Sequence, residues 1–156
     1  MNGTHYLVDN NALIALGRRR IRTTFFRTHC RVTADVLREA AEHPDRALLE
    51  TTAVELTPLV LEEIRAVMSG LGVGDTRLVD LYANKGTADP GMIATVRAAR
   101  AVEESMLFPD TWVIVTNDRA VETTATEHDV QTMKPADLAE LIDAAGAGET
   151  RAAGGY

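Results

Sequence analysis

The sequence predicts an α/β fold, a three-layer α/β/α sandwich on a central, mostly parallel sheet. Three observations predict it. Short apolar runs of strand length, Leu7-Val8 and Val113-Ile114-Val115, alternate with segments of helical periodicity. Their unbroken apolar character suits strands buried on both faces, as crossover helices require. The length, 156 residues without an internal repeat or linker, fits one domain.

The elements follow in order. His5–Asp9 reads as the first strand, and Asn10-Asn11 leads into a helix over Ala12–Leu16 that Gly17 stops. Thr23–His29 reads as a short helix, Arg31-Val32 as extended chain, and Thr33 as the cap of a helix from Ala34 to Glu42. Thr51–Leu56 is rich in β-branched residues and reads as a strand or an irregular connection. Thr57-Pro58 pairs a cap with proline at the first helical position, opening a helix to Ser69 with Gly70 as its stop. A helix follows over Asp75–Ala83, and Asp89-Pro90 repeats the cap-plus-proline signature before a long helix to Glu104. Thr111–Thr116 is the clearest buried strand, and Asn117-Asp118 starts a helix to Glu127. Val130–Met133 is a last strand, and Lys134-Pro135 introduces the helix Ala136–Ala145. The domain therefore spans 1–145, and the Gly/Ala-rich residues 146–156 read as a flexible tail.

Composition narrows the classes. A hydrophobic fraction of 46% with 25% charged residues excludes whole-chain disorder. The single cysteine, Cys30, can form neither an internal disulfide nor a thiolate metal cage, and it reads as a small buried apolar group. No apolar run reaches the ~18 residues of a membrane span, and Met1–Tyr6 lacks the layout of a signal peptide. The expectation is a reduced, cytoplasmic setting with no membrane partner. A net charge of −7 taken in bulk argues against nucleic acid. Its distribution argues otherwise, because residues 1–40 hold seven arginines against Asp9, Asp35 and Glu39.

Ligands of open parallel sheets bind beyond the carboxyl ends of the strands. Here two strands lead into aspartates, Asp9 and Asp118, at such ends. Each could simply cap the helix it precedes, as Asp89 could and as a solvated Glu39 needs no special role. Their combination is more informative. If Asp9, Glu39, Asp89 and Asp118 converge, two carboxylates about 5 Å apart repel by roughly 3 kcal/mol at an effective dielectric near 20. Such a cluster needs protons or a hard cation, and oxygen-only ligands select Mg²⁺ or Mn²⁺. A metal so held activates water and neutralises a phosphodiester.

Four segments in order resemble the PIN-domain ribonucleases, a family that includes VapC-type toxins. They are Leu7-Val8-Asp9-Asn10-Asn11, Val36-Leu37-Arg38-Glu39-Ala40, Ala88-Asp89-Pro90-Gly91 with Ile93, and Val115-Thr116-Asn117-Asp118. The ending Asp129–Leu138 is similar as well, so the resemblance runs from Tyr6 to Ile142. Asn10 departs from the family's usual threonine, and residues 42–84 match only in helical pattern. The resemblance implies that Asp9, Glu39, Asp89 and Asp118 bind Mg²⁺ or Mn²⁺, with Asn11 and Thr116 orienting the carboxylates and the attacking water. It further implies metal-dependent hydrolysis of single-stranded RNA, a cognate antitoxin as partner, and a homodimer.

The run Arg18-Arg19-Arg20-Ile21-Arg22 then has two readings: a grip on substrate phosphates, or ion pairs to the acidic body. Phe25 and Phe26 read as core or subunit contacts, and His5, His29, His43 and His128 show no ligand spacing. Competing functions are a haloacid-dehalogenase-like phosphatase, a receiver domain, and a catalytically inactive PIN-like binding module. The phosphatase wants a second aspartate two residues after the first, where Asn11 stands. A receiver wants a lysine after a late strand, and only Lys134 is available.

Overall fold

A computed structural model describes residues 3–70 and 88–153. Four strands form one sheet in the order β2-β1-β3-β4, with every pairing parallel. They are β1 (Thr4–Val8), β2 (Cys30–Arg31), β3 (Thr111–Val115) and β4 (Gln131–Met133). The two central strands are the two apolar runs of the sequence. Leu7, Val8, Ile114 and Val115 are wholly buried, because helices cover both faces. The register sets Tyr6 against Val113, Leu7 against Ile114 and Val8 against Val115.

The helices are α1 (Asn10–Ile21), α2 (Thr24–His29), α3 (Ala34–Glu39), α4 (Arg46–Glu50), α5 (Pro58–Gly70), α6 (Ala88–Glu103), α7 (Arg119–Glu127) and α8 (Pro135–Ala153). One layer groups α1, α2 and α8, and the other pairs α5 with α6 beside α7. Caps are supplied by the residues the sequence singles out. Thr23, Thr33 and Asp118 each accept a backbone N–H from the first turn they precede, and Thr57 Oγ1 does the same for Val60.

Several boundaries differ from the sequence reading, each for a local reason. Gly17 interrupts α1 with a positive φ of 78°, yet the chain resumes helical geometry through Ile21. Ion pairs on Arg18 and Arg20 hold that second piece to the body. Helix α3 closes at Glu39 and not at Glu42, since Ala40 leaves helical geometry at φ −88° and ψ 26°. Helix α4 is absent from the sequence reading; at five residues it is too short to show periodicity. Residues 51–56 are an irregular connection with one parallel bridge, Val32 to Ala53. The last helix passes Gly146 and continues to Ala153, a correction to the flexible tail expected from Gly146 onward. Alanine is the best helix former, and two glycines at about 1 kcal/mol each do not end an established helix. The helix expected over Asp75–Ala83 lies outside the described residues.

Candidate active site

Register explains why two distant acids meet. Val8 and Val115 are partners at the carboxyl ends of β1 and β3, so the next residues, Asp9 and Thr116, stand side by side. The Asp9 N–H donates to the Val115 carbonyl at 3.3 Å, and the Thr116 N–H donates to Met133 at 3.0 Å, tying β1, β3 and β4 together there. Thr116 is fully buried, and its hydroxyl donates to Asp9 Oδ2 at 2.5 Å. Thr116 Oγ1 itself accepts the Asp118 N–H at 3.0 Å. One hydroxyl therefore connects both aspartates.

Each aspartate also caps a helix. Asp9 Oδ1 accepts the Ala12 N–H at 2.6 Å, and Asp118 Oδ1 accepts Ala120 and Val121 at 2.8 and 3.4 Å. Capping and a second role are thus not alternatives, because a carboxylate has lone pairs for more than one donor. Asp9 is only 8% exposed. Burial pushes its carboxyl above the usual carboxylate range, and the nearby Asp118 charge adds to this. The Thr116 and Ala12 hydrogen bonds oppose the rise without cancelling it. Among the described residues Asp9 has no cationic side chain as partner. A half-buried carboxylate pair with oxygen-only donors and no internal cation fits a hard divalent ion.

The remaining sequence candidates divide. Asn11 is exposed on the first turn of α1, two residues from Asp9. Asp89 is the second residue of α6, and its side chain lies outside the described residues. Glu39 is exposed at the end of α3, and among the described residues no three His, Cys, Asp or Glu side chains are grouped to hold a metal. Helix α3 starts at the carboxyl end of β2, and Glu39 is its last residue. Asp35, one turn earlier and about 6 Å back along the axis, is the acid of α3 turned toward α6. Its Oδ2 lies 3.3 Å from where a Cβ on Gly91 would stand, two residues after Asp89, and its other oxygen pairs with Arg38. The sequence reading missed Asp35, although i and i+4 share a helix face and either acid could have been the inward one.

The arginine run sits at the far end of α1, on the order of 13 Å or more from Asp9 along the helix. Closeness in sequence did not become closeness in space. Arg18 and Arg22 both bind Asp45, at 2.9 and 2.8 Å, and Arg19 and Arg20 both bind Asp143, at 3.0 and 2.8 Å. The two guanidinium groups hold the Asp45 carboxyl well below its ordinary range. Of the two readings of this run, the ion pairs to the acidic body are the geometry observed.

No protein-family model matches the chain, and no curated protein matches it. Among solved structures it is similar to PAE2754 from Pyrobaculum aerophilum. The likeness covers 91% of this chain and 98% of that one, at 19% identity and a TM-score of 0.52. At that identity the likeness carries the fold and nothing finer. The chain shares an α/β architecture in which a parallel four-stranded sheet lies between helical layers.

Proposed function

We propose that the protein is a metal-dependent ribonuclease that hydrolyses phosphodiester bonds of single-stranded RNA at the carboxyl end of its sheet. The observation that carries this reading is the Asp9–Thr116–Asp118 arrangement, in which one hydroxyl donates to the buried Asp9 carboxylate and accepts the backbone N–H of a second aspartate, Asp118. Asp9 and Asp118 would hold Mg²⁺ or Mn²⁺, with Asp89 as a further acid from the start of α6. Such an ion, when bound, supplies an activated water and neutralises phosphate charge. Thr116 orients the Asp9 carboxylate directly and anchors the backbone of Asp118, as hydrogen bonds from outside a metal site do for its ligands. The backbone bonds at the ends of β1 and β3 keep the pair from moving apart. A cognate antitoxin and pairing of two copies belong to the same reading, resting on the sequence resemblance.

The test is cleavage of labelled single-stranded RNA by purified protein with Mg²⁺ or Mn²⁺ against the same protein in chelator. Asp118→Asn is the informative variant, since asparagine caps a helix as well as aspartate and leaves α7 intact. Cleavage should need the metal and should be lost in this variant while circular dichroism is unchanged. Full cleavage by the variant, in preparations free of contaminating nuclease, sinks the assignment.

A further inference from the structure

The amino end of the sheet carries a feature that the ribonuclease reading does not use. A cleft of about 230 Å³ opens between the start of α5, the second half of α6 and Trp112 of β3. Trp112 lies four residues before Thr116 on one extended stretch, so roughly 13 Å separates these two residues. Apolar groups dominate its wall, through Leu59, Val60, Ala98 and Val102. Among the described residues its ionisable lining groups are two acids, Glu55 and Glu103. Glu103 is held in place by accepting the Asp110 N–H at 3.0 Å. On α6, Arg97 is engaged with Glu63 at 2.5 Å and His128 at 2.6 Å, and Arg100, one turn before Glu103, is exposed and does not line the cleft. Trp112 adds a buried indole N–H that has no hydrogen-bond partner among the described residues.

These features select a ligand chemistry. An apolar wall with two acids repels phosphates, nucleotides and carboxylates, and it favours an apolar body that carries a positive charge. A cavity of about 150 Å³ accommodates benzene, so this cleft has room for one ring and a short arm. An aromatic wall adds attraction for a cation or for the edge of a ring. We propose that the cleft between α5, α6 and Trp112 binds a small organic ammonium ion of the arylalkylamine class. Glu55 and Glu103 face its charge, and Trp112 lies against its ring. The site is independent of the ribonuclease reading and does not share its residues.

Trp112 is the chain's single tryptophan, so its emission reports directly on the cleft. The experiment titrates full-length protein with phenethylamine, with its neutral counterpart phenethyl alcohol, and with the anion phenylacetate. Phenethylamine should produce a saturable change in emission, with an apparent affinity at least about tenfold tighter than that for phenylacetate. Glu55→Gln combined with Glu103→Gln should reduce the amine to the level of the alcohol. Ala98→Phe fills the cleft and should abolish the response; Ala99→Leu, a smaller change at a half-buried position, serves if that variant does not fold. No saturable response to phenethylamine, or an equal response to phenylacetate or phenethyl alcohol, overturns the proposal. Retained saturable binding in the folded cleft-filling variant also overturns it.

Discussion

Asp110 leads into the amino end of the central sheet and Asp9 leaves its carboxyl end, and the fold treats the same side chain in opposite ways. Asp110 accepts the Gly3 N–H at 2.6 Å and meets His5 Nε2 at 2.9 Å, with its side chain 32% exposed. Those donors hold its carboxyl below the usual range, the Gly3 hydrogen bond first and the His5 contact second. Asp9 is buried, lies near a like charge, and has its carboxyl pushed upward. The first arrangement lowers the energy of the folded chain. The second raises it, because burial and the nearby Asp118 charge both disfavour the ionised form.

The largest expected effect tests the strained end. Asp9→Asn should lower metal-dependent RNA cleavage more than ~100-fold, because loss of groups that merely orient ligands already reaches 10–100-fold. Metal-free protein with this change should melt higher, with an unfolding free energy raised by about 0.5–2 kcal/mol, since a buried charge beside Asp118 is removed. Asparagine can accept from Ala12 and donate to Thr116, so both contacts survive. Lower activity together with a lower melting temperature would mean that Asp9 is chiefly structural.

Thr116→Val comes next. It keeps the shape but removes the hydroxyl that donates to Asp9 and accepts from Asp118. Cleavage should fall 10–100-fold, and urea unfolding should show a loss of about 1–3 kcal/mol for the orphaned Asp118 N–H. An activity loss without a stability loss would remove Thr116 from its bridging place.

Asp110→Asn should act in the reverse sense, with cleavage unchanged and the melting temperature lowered. Its folded pKa is depressed, so its contribution is complete above the ordinary carboxylate value of about 3.9 and is lost as pH falls through the folded value. The difference in melting temperature between wild type and variant should therefore shrink in acid below about pH 4. A gap that widens in acid would contradict the sign of this assignment.

The smallest effect is an expected silence. Burial pushes the Cys30 thiol up to about 12, and the side chain is inaccessible on β2. A thiol reagent at pH 8 should leave folded protein unlabelled on the minute scale and label it fully in denaturant. Prompt labelling of native protein would show that the edge next to β1 opens.

Much of this contrast was readable before any coordinates. Apolar runs mark the two central strands, and acids at their ends mark the crevice, because side-chain burial and helix capping are local rules. Register is not local. Nothing in Leu7-Val8-Asp9 or Val115-Thr116 states that Val8 pairs with Val115, and the Asp9–Thr116 bond follows from that pairing alone. The same limit explains the arginine run, whose partners Asp45 and Asp143 are distant in sequence. Helix α4 was missed because five residues hold too little periodicity, and α8 was cut short because glycine was weighted above its alanine-rich surroundings.

The outer strands are short: β2 has two residues and β4 has three. An intruding strand needs several consecutive unpaired N–H and C=O groups along an edge before its hydrogen bonds repay its ordering. Among the described residues neither flank offers such a length, so these edges resist extension by another chain, whether in fibril growth or in strand-donating complexes. Any protein that engages this molecule must therefore recognise side chains on its helices and loops, where specificity can change without disturbing the backbone ladder that keeps Asp9 beside Thr116.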